Sequence, residues 1–310
     1  MLSALLSSIV PTFGIIAIGW LCRHVKIWGK SSVGVMNSYA YYIALPALIF
    51  YALITTDISG RVLSEDLKLL GGVLLAHLII VVLLLPFLAM KKIKKSTRAT
   101  LPMLITFGST AYLGIPYARF TFGNEGVVYA SLLSVVLVVV MLFVSIVVLN
   151  QFSKSSIKKD VLHTMLELPF LWAVLLGVLW PIFSFPELPA FAMSFIQILS
   201  DSAGPTALLG LGAFLFDIKP KQIPWIPTIT ISLLKVVLPT LATVIVLQLL
   251  GVTGVPLFVG TAMAATSTAV TAFILSGQYK LGQKLTAGVI LVSVFTSLIA
   301  LTIISAVWLA

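Results

Sequence analysis

Ten apolar stretches fill this chain, and each is close to the length that an α-helix needs to cross a bilayer. About 20 apolar residues span the hydrocarbon core. We number the predicted spans one to ten in chain order: 3–22, 31–54, 68–90, 99–122, 126–150, 168–185, 190–216, 222–250, 256–278 and 285–309. Apolar residues make up 60% of the sequence and charged residues only 9%, which leaves no room for a separate soluble domain. The sequence therefore predicts an all-α membrane protein with ten transmembrane helices.

The basic residues between the spans fall on alternate loops. Fifteen of the 19 Lys and Arg residues lie in the loops that follow spans one, three, five, seven and nine. Short loops rich in Lys and Arg stay in the cytoplasm. We therefore predict a multi-pass protein of the cell membrane (inner or plasma membrane) with both termini on the extracellular or periplasmic side. The net charge of +10 then reflects topology and attraction to anionic lipid, and no nucleic-acid partner is expected.

The chain also carries signs of an internal repeat. Five spans in each half is an odd number, so two halves of the same fold would lie in the membrane in opposite orientations, as in many secondary transporters. At an offset of about 158 residues, Gly108-Ser-Thr-Ala111 aligns with Thr266-Ser-Thr-Ala269, and His77 aligns with Lys235. The predicted segments are a first five-helix repeat (1–150), a cytoplasmic linker (151–167) and a second, inverted five-helix repeat (168–310).

The centres of spans four and nine are small and hydroxylated, where a spanning helix is normally rich in Leu, Ile and Val. Span four reads T-F-G-S-T-A-Y-L-G-I-P over 106–116, and span nine reads G-T-A-M-A-A-T-S-T-A-V-T over 260–271. Pro116 removes a backbone hydrogen bond and clashes with the preceding turn. One interpretation is close helix packing through small residues. The other is a pair of broken crossover helices that meet near the membrane midplane and present half-helix N-termini to an anion.

Four further motifs follow one another along the chain: Y-I-A-L-P-A-L-I-F at 42–50, Y-L-G-I-P at 112–116, G-P-T-A-L-L-G-L-G-A at 204–213 and L-K-V-V-L-P at 234–239. Together they resemble the auxin efflux carrier family, within the superfamily of bile-acid, arsenite and riboflavin transporters. The resemblance implies a scaffold domain, a transport domain in which helices four and nine cross, and alternating access. It also implies a carrier for a small organic anion, a carboxylate, and a homodimer formed through the scaffold helices.

The sequence departs from the pattern of that family at two places. The family usually has Asn where Ser109 stands, and it usually has a proline in span nine near Ala264 or Ala265. We predict a substrate site at the crossing of spans four and nine, where hydroxyl groups donate hydrogen bonds to the anion. The predicted substrate-binding residues are Ser109, Thr110, Tyr112, Gly114, Pro116, Thr266, Ser267, Thr268 and Lys235.

Three ionisable side chains are predicted to lie deep within the membrane: Lys235, His77 and Asp201. Each charge deep in a bilayer costs at least about 2.5–3.5 kcal/mol on insertion scales, so such residues are functional candidates. Lys235 either neutralises the substrate or pairs with a carbonyl or an acid to hold helices together. His77 is either part of a proton relay or a hydrogen-bonded packing residue. Asp201 could pair with Lys235, carry a coupling proton or cap a broken helix, and both His77 and Asp201 are candidates for ion coupling.

Other functional classes fit the sequence less well than a secondary carrier. No acid lies between residues 260 and 275, which disfavours the alternative of a Na⁺-coupled bile-acid-type symporter without excluding Na⁺, and H⁺ is a candidate coupling ion. A channel needs a continuous pore lining that the two segments do not supply. An enzyme needs a converging constellation of catalytic residues, and none is evident. The single cysteine, Cys22, excludes a cysteine-cluster metal site, and no cofactor is expected.

Overall fold

A computed structural model describes residues 2–55, 63–152, 166–183 and 185–308 of the chain. Within these residues the chain is helical almost throughout and forms no regular strand. The α-helices of the described part, in chain order, are α1 Leu2–His24, α2 Lys30–Tyr39, α3 Leu45–Thr55, α4 Leu63–Ala89, α5 Lys95–Thr106, α6 Ile115–Phe152, α7 Pro169–Ile182, α8 Ala190–Phe216, α9 Trp225–Leu249, α10 Gly254–Ala264, α11 Val270–Gln278 and α12 Gln283–Trp308. Most of the predicted linker 151–167 lies outside the described residues.

The outward faces of the helices are apolar, as a surface in contact with lipid must be. Ile226, Leu249 and Phe191 are exposed by 83%, 81% and 79%, which a soluble monomer rarely tolerates in large patches. Six segments of the described chain are long and apolar enough to cross a membrane, and three shorter apolar helices accompany them. The chain is therefore an all-helical, multi-pass membrane protein. The exact number of ten spans stays a prediction.

Two π-helical turns interrupt the first half of the chain, and each directly precedes an X-Pro pair. Ala40–Ala44 precedes Leu45-Pro46, and Thr110–Gly114 precedes Ile115-Pro116. A proline cannot donate its backbone hydrogen bond, and its ring clashes with the carbonyl one turn earlier. Widening that turn removes the clash, and single-turn π-bulges of this kind often occur at functional sites.

The helix α6 contains a second break, at Gly123. Its φ of 59° and ψ of −143° are not helical, so residues 115–122 and 124–152 form two helices joined at this glycine. A side chain rarely adopts such a positive φ, whereas glycine does so without strain. The predicted boundary between spans four and five therefore falls at this single break in the helix.

The helices pack in two groups. One group contains α1, α2, α3, α7 and α8, and the other contains α4, α5, α6 and α9 to α12. Small residues let backbones within the first group touch: a Cβ added at Gly212 of α8 would overlap the carbonyl oxygen of Ile16 in α1. Contact through small residues is the usual way in which helices associate in membranes. The two groups meet along a boundary that contains a cavity.

Candidate functional site

The two segments singled out in the sequence, at the centres of spans four and nine, are both interrupted, and the interruptions contact each other. In span four, α5 ends at Thr106 and the next helical turn begins at Thr110. In span nine, α10 ends at Ala264 and α11 begins at Val270. The irregular backbone expected there is observed, so close packing of two continuous helices is not the explanation for their small residues.

A short backbone bridge joins the two interruptions. The Ser109 amide donates to the carbonyl oxygen of Ser267 at 2.6 Å, and the Ala269 amide donates to that of Phe107 at 3.0 Å. These bonds form an antiparallel β-bridge between Gly108 and Thr268. Backbone groups released from a helix must find partners where water is scarce. Each broken helix therefore supplies hydrogen-bond partners for backbone groups of the other.

Side chains support this bridge from the side of span nine. The Thr268 hydroxyl donates to the carbonyl oxygen of Leu104 at 2.8 Å, and the Thr268 amide donates to the Ser293 hydroxyl at 3.0 Å. A Cβ added at Gly108 would lie 2.6 Å from the Thr266 hydroxyl oxygen, which is closer than real contacts allow. Glycine at position 108 is thus required by the close approach of the two segments.

A cavity of about 390 Å³ lies beside the bridge, at the boundary between the two groups of helices. The second group contributes residues 107–112, 269–271 and 274, together with Val138 and Leu142. The hydroxyl groups of Ser109 and Thr110 are buried here and have no hydrogen-bond partner within the described part of the chain. A buried hydroxyl without a partner costs free energy, so both groups are suited to bind a molecule in the cavity.

Two helix N-termini also face this cavity. One begins at Thr110, after Ser109, and the other begins at Val270, after Ala269. The first amides of a helix lack an intrahelical acceptor, and its N-terminus carries about half a positive charge. Their convergence on one cavity favours a bound anion.

The sequence model of a family described as "Membrane transport protein" matches residues 4–161 and 152–305. The chain belongs to this family, that of the auxin efflux carriers. The family resemblance inferred from the four motifs is therefore confirmed. The chain is 24% identical to an uncharacterized transporter of Methanocaldococcus jannaschii, over 93% of this chain and 94% of the relative. It is also 24% identical to a Rhizobium meliloti protein named "Putative malonate transporter", over 95% of this chain and 92% of the relative.

Three of the predicted substrate-binding residues of this membrane transport protein line the cavity: Ser109, Thr110 and Tyr112. The Tyr112 hydroxyl also donates to the carbonyl oxygen of Asn37 at 3.1 Å, which links the two groups of helices. The other six do not line the cavity: Gly114, Pro116, Thr266, Ser267, Thr268 and Lys235. Their role in binding stays a prediction.

Lys235 lies beside the bridge of the transport protein but does not line the cavity. Its side chain is fully buried, and Nζ donates to the carbonyl oxygen of Ala264, the last residue of α10, at 3.2 Å. A Cβ added at Gly108 would lie 3.6 Å from the same nitrogen. The first half of each broken helix ends nearby, at Thr106 and Ala264, and a helix C-terminus carries about half a negative charge. The ammonium group is placed to neutralise these ends.

His77 is held within its own helix. Its Nδ1 lies 2.9 Å from the carbonyl oxygen of Val73, and because a carbonyl only accepts, Nδ1 is the protonated nitrogen. The side chain is buried in α4, which packs against the helix of Lys235, and it does not line the cavity. This bond is the arrangement expected for a packing histidine, and a role in ion coupling stays a prediction.

Asp201 pairs with Arg119 and not with Lys235. Its Oδ1 lies 2.6 Å from Nη2 of Arg119, whose Nη1 donates to the Ser200 hydroxyl at 3.2 Å. The Asp201 side chain is 52% exposed at the surface of the helix bundle, whereas the side chain of Lys235 is fully buried. The predicted pair of Asp201 with Lys235 is therefore wrong, and Arg119 was not among the partners predicted for Asp201.

The wall of the cavity that comes from span two was not predicted from the sequence. That wall contains Asn37, Ser38, Tyr41 and Tyr42, at and just before the π-helical turn. A signal was present: the run N-S-Y-A-Y-Y at 37–42 is polar and aromatic within an otherwise apolar span. Such a run, just ahead of Pro46, marks an irregular and functional segment of a membrane helix.

Proposed function

We propose that this membrane transport protein is a secondary carrier for a small organic anion with one carboxylate group, moved by alternating access. The single observation that carries the proposal is the convergence of two half-helix N-termini and two unpartnered hydroxyls, those of Ser109 and Thr110, on one cavity. The bridge between Gly108 and Thr268 serves as the crossing point of broken helices four and nine near the midplane, within two inverted repeats.

The charge of the site supports one carboxylate. No charged side chain is found among the described residues that line the cavity. Two helix N-termini together supply about one unit of positive charge. A second carboxylate would face tyrosines and apolar residues such as Tyr41 and Phe170, where an uncompensated charge is costly. Malonate, named for one relative, carries two carboxylates and is therefore the informative comparison.

The position of the cavity supports the proposal of alternating access. One wall belongs to the group that contains α2, α7 and α8, and the other belongs to the group that contains the broken helices. The wall residues Asn37, Leu142, Leu168 and Ile274 lie in the halves of their spans that lead to the basic loops. With the predicted orientation, the cavity corresponds to an inward-facing state. Movement of one group past the other would expose the same crossing to the opposite side.

The substrate is tested first by thermal stabilisation of the purified protein. We expect monocarboxylates with a small uncharged body to raise the melting temperature, and malonate at the same concentration to have little effect, because only about one charge is compensated. Hits are then tested in proteoliposomes for saturable uptake and counterflow, with imposed pH or sodium gradients. Stabilisation by dicarboxylates alone, or flux without saturation, would contradict the proposed carrier.

The orientation is tested by cysteine labelling on a Cys22→Ser background. A cysteine at Lys94 should react with a membrane-impermeant reagent only from the cytoplasm, and one at Asn124 only from outside, because Lys and Arg retain their loops inside. Both positions are in the described chain, whereas Ser156, in the predicted linker, lies outside it. Reversed accessibility of the two positions would overturn the predicted orientation of both termini.

A further inference from the structure

A second cavity, of about 500 Å³, lies at the end of the molecule that carries the basic loops. It is formed between α2 and α8 of one group of helices and α11 and α12 of the other, and it shares no lining residue with the first cavity. Three lysines lie on its rim: Lys30, Lys219 and Lys284. The proposed transport mechanism assigns no role to this second cavity or to its three lysines.

The rim of the second cavity carries an uncompensated positive charge. All three lysines are exposed, and none forms an ion pair or a side-chain hydrogen bond with another described residue. Asp217 is the single acid among the described lining residues, and its Oδ1 already accepts from Nη2 of Arg23 at 2.8 Å. The three ammonium groups are therefore available to an external anion.

Two further features of the second cavity indicate which kind of anion it can bind. The helices α2 and α12 begin at the cavity, at Lys30 and Gln283, so their positive dipole ends add to the charge of the lysines. The walls beneath the rim are apolar and include Phe214, Ile218 and Phe273. A charged rim above apolar walls, at the membrane surface, matches a molecule with an anionic head and hydrocarbon chains.

We propose that this cavity binds the phosphate head group of an anionic phospholipid, with the start of its acyl chains against the apolar walls. Basic pockets between transmembrane helices at the cytoplasmic surface are suited to such head groups. Because the cavity lies between the two groups of helices, a bound lipid contacts both and stabilises the arrangement seen here. The inference does not depend on which anion is transported.

The test compares two triple variants of the full chain that lose the same charge. Lys30→Gln, Lys219→Gln and Lys284→Gln remove the rim charges, whereas Lys91→Gln, Lys92→Gln and Lys94→Gln remove three exposed charges outside the cavity. Each purified protein is titrated with phosphatidylglycerol, phosphatidylcholine or inorganic phosphate. The melting temperature is followed, and bound lipid is counted by native mass spectrometry.

We expect phosphatidylglycerol to stabilise the wild type and the control variant, and phosphatidylcholine to have little effect. The rim variant should bind phosphatidylglycerol on the order of 100-fold more weakly, because three lysines no longer attract the head group. Retained binding in the rim variant, or equal loss in both variants, would overturn the proposal. Stabilisation by inorganic phosphate equal to that by phosphatidylglycerol would instead identify a free anion, and would contradict a lipid site. Because all six lysines are exposed, both variants should fold, and melting without lipid verifies this.

Discussion

Ser109→Leu is expected to abolish binding of the transported anion while the protein remains folded. The Ser109 side chain lines the cavity, and its hydroxyl is buried without a partner in the described chain. Leucine both removes that donor and fills space next to the two helix N-termini. Binding measured by thermal stabilisation or calorimetry should fall below detection. Monodisperse protein with a melting temperature near that of the wild type would show that the loss is local.

Ser109→Ala separates the lost hydroxyl from the lost space. A hydrogen bond to a charged group contributes about 1.5–3 kcal/mol, so the alanine variant should bind the anion roughly 10- to 100-fold more weakly. Ser267→Ala is the matched control, because its hydroxyl is also buried and unpartnered in the described chain but does not line the cavity. Equal losses of affinity in the two alanine variants would remove Ser109 from the site.

The comparison of Ser109 with Ser267 also shows where sequence reasoning stops. Both residues stand out in the sequence for the same reason, since each lies in a hydroxylated run at the centre of an apolar span. The repeat offset pairs them, and the structure joins them, because the Ser109 amide bonds the Ser267 carbonyl oxygen. Which of the two reaches the cavity depends on helices from elsewhere in the chain, and no local pattern encodes that.

The broken helices themselves were predictable because their cause is local. Gly108 lies at the interruption of span four and has a low helix propensity, and the hydroxyl groups of Thr266 to Thr268 compete with the helix of span nine for backbone hydrogen bonds. The partner of Asp201 was not predictable, because Arg119 lies 82 residues away in the chain and the pairing depends on how α8 packs. The second wall of the cavity, from Asn37 to Tyr42, was also not predicted. Its polar run is visible in the sequence, but its place in the wall depends on the packing of span two against Tyr112.

Lys235→Met is expected to destabilise the transport protein strongly, with little direct effect on affinity for the anion. Lys235 Nζ donates to the Ala264 carbonyl oxygen and lies beside Gly108, where the first half of each broken helix ends. A charged hydrogen bond and a cation at helix C-termini each contribute up to about 2–3 kcal/mol in buried surroundings. Methionine also avoids the desolvation free energy of a buried ammonium group, and this gain offsets part of the loss. We expect a net loss of about 2 kcal/mol, since methionine leaves the Ala264 carbonyl without its donor.

Melting temperature and anion affinity, measured on the same preparation, decide the role of Lys235. If the ammonium group holds the crossing together, Lys235→Met melts at a lower temperature, and the folded fraction binds the anion within about threefold of wild type, because Lys235 does not line the cavity. Lys235→Arg retains the cation with a different geometry and should recover part of the stability. If the charge instead compensates the substrate, affinity falls at least tenfold with an unchanged melting temperature. That second result would show that Lys235 contributes to anion binding. Because Lys235 does not line the cavity, its positive charge would then act on the anion at a distance and not by direct contact.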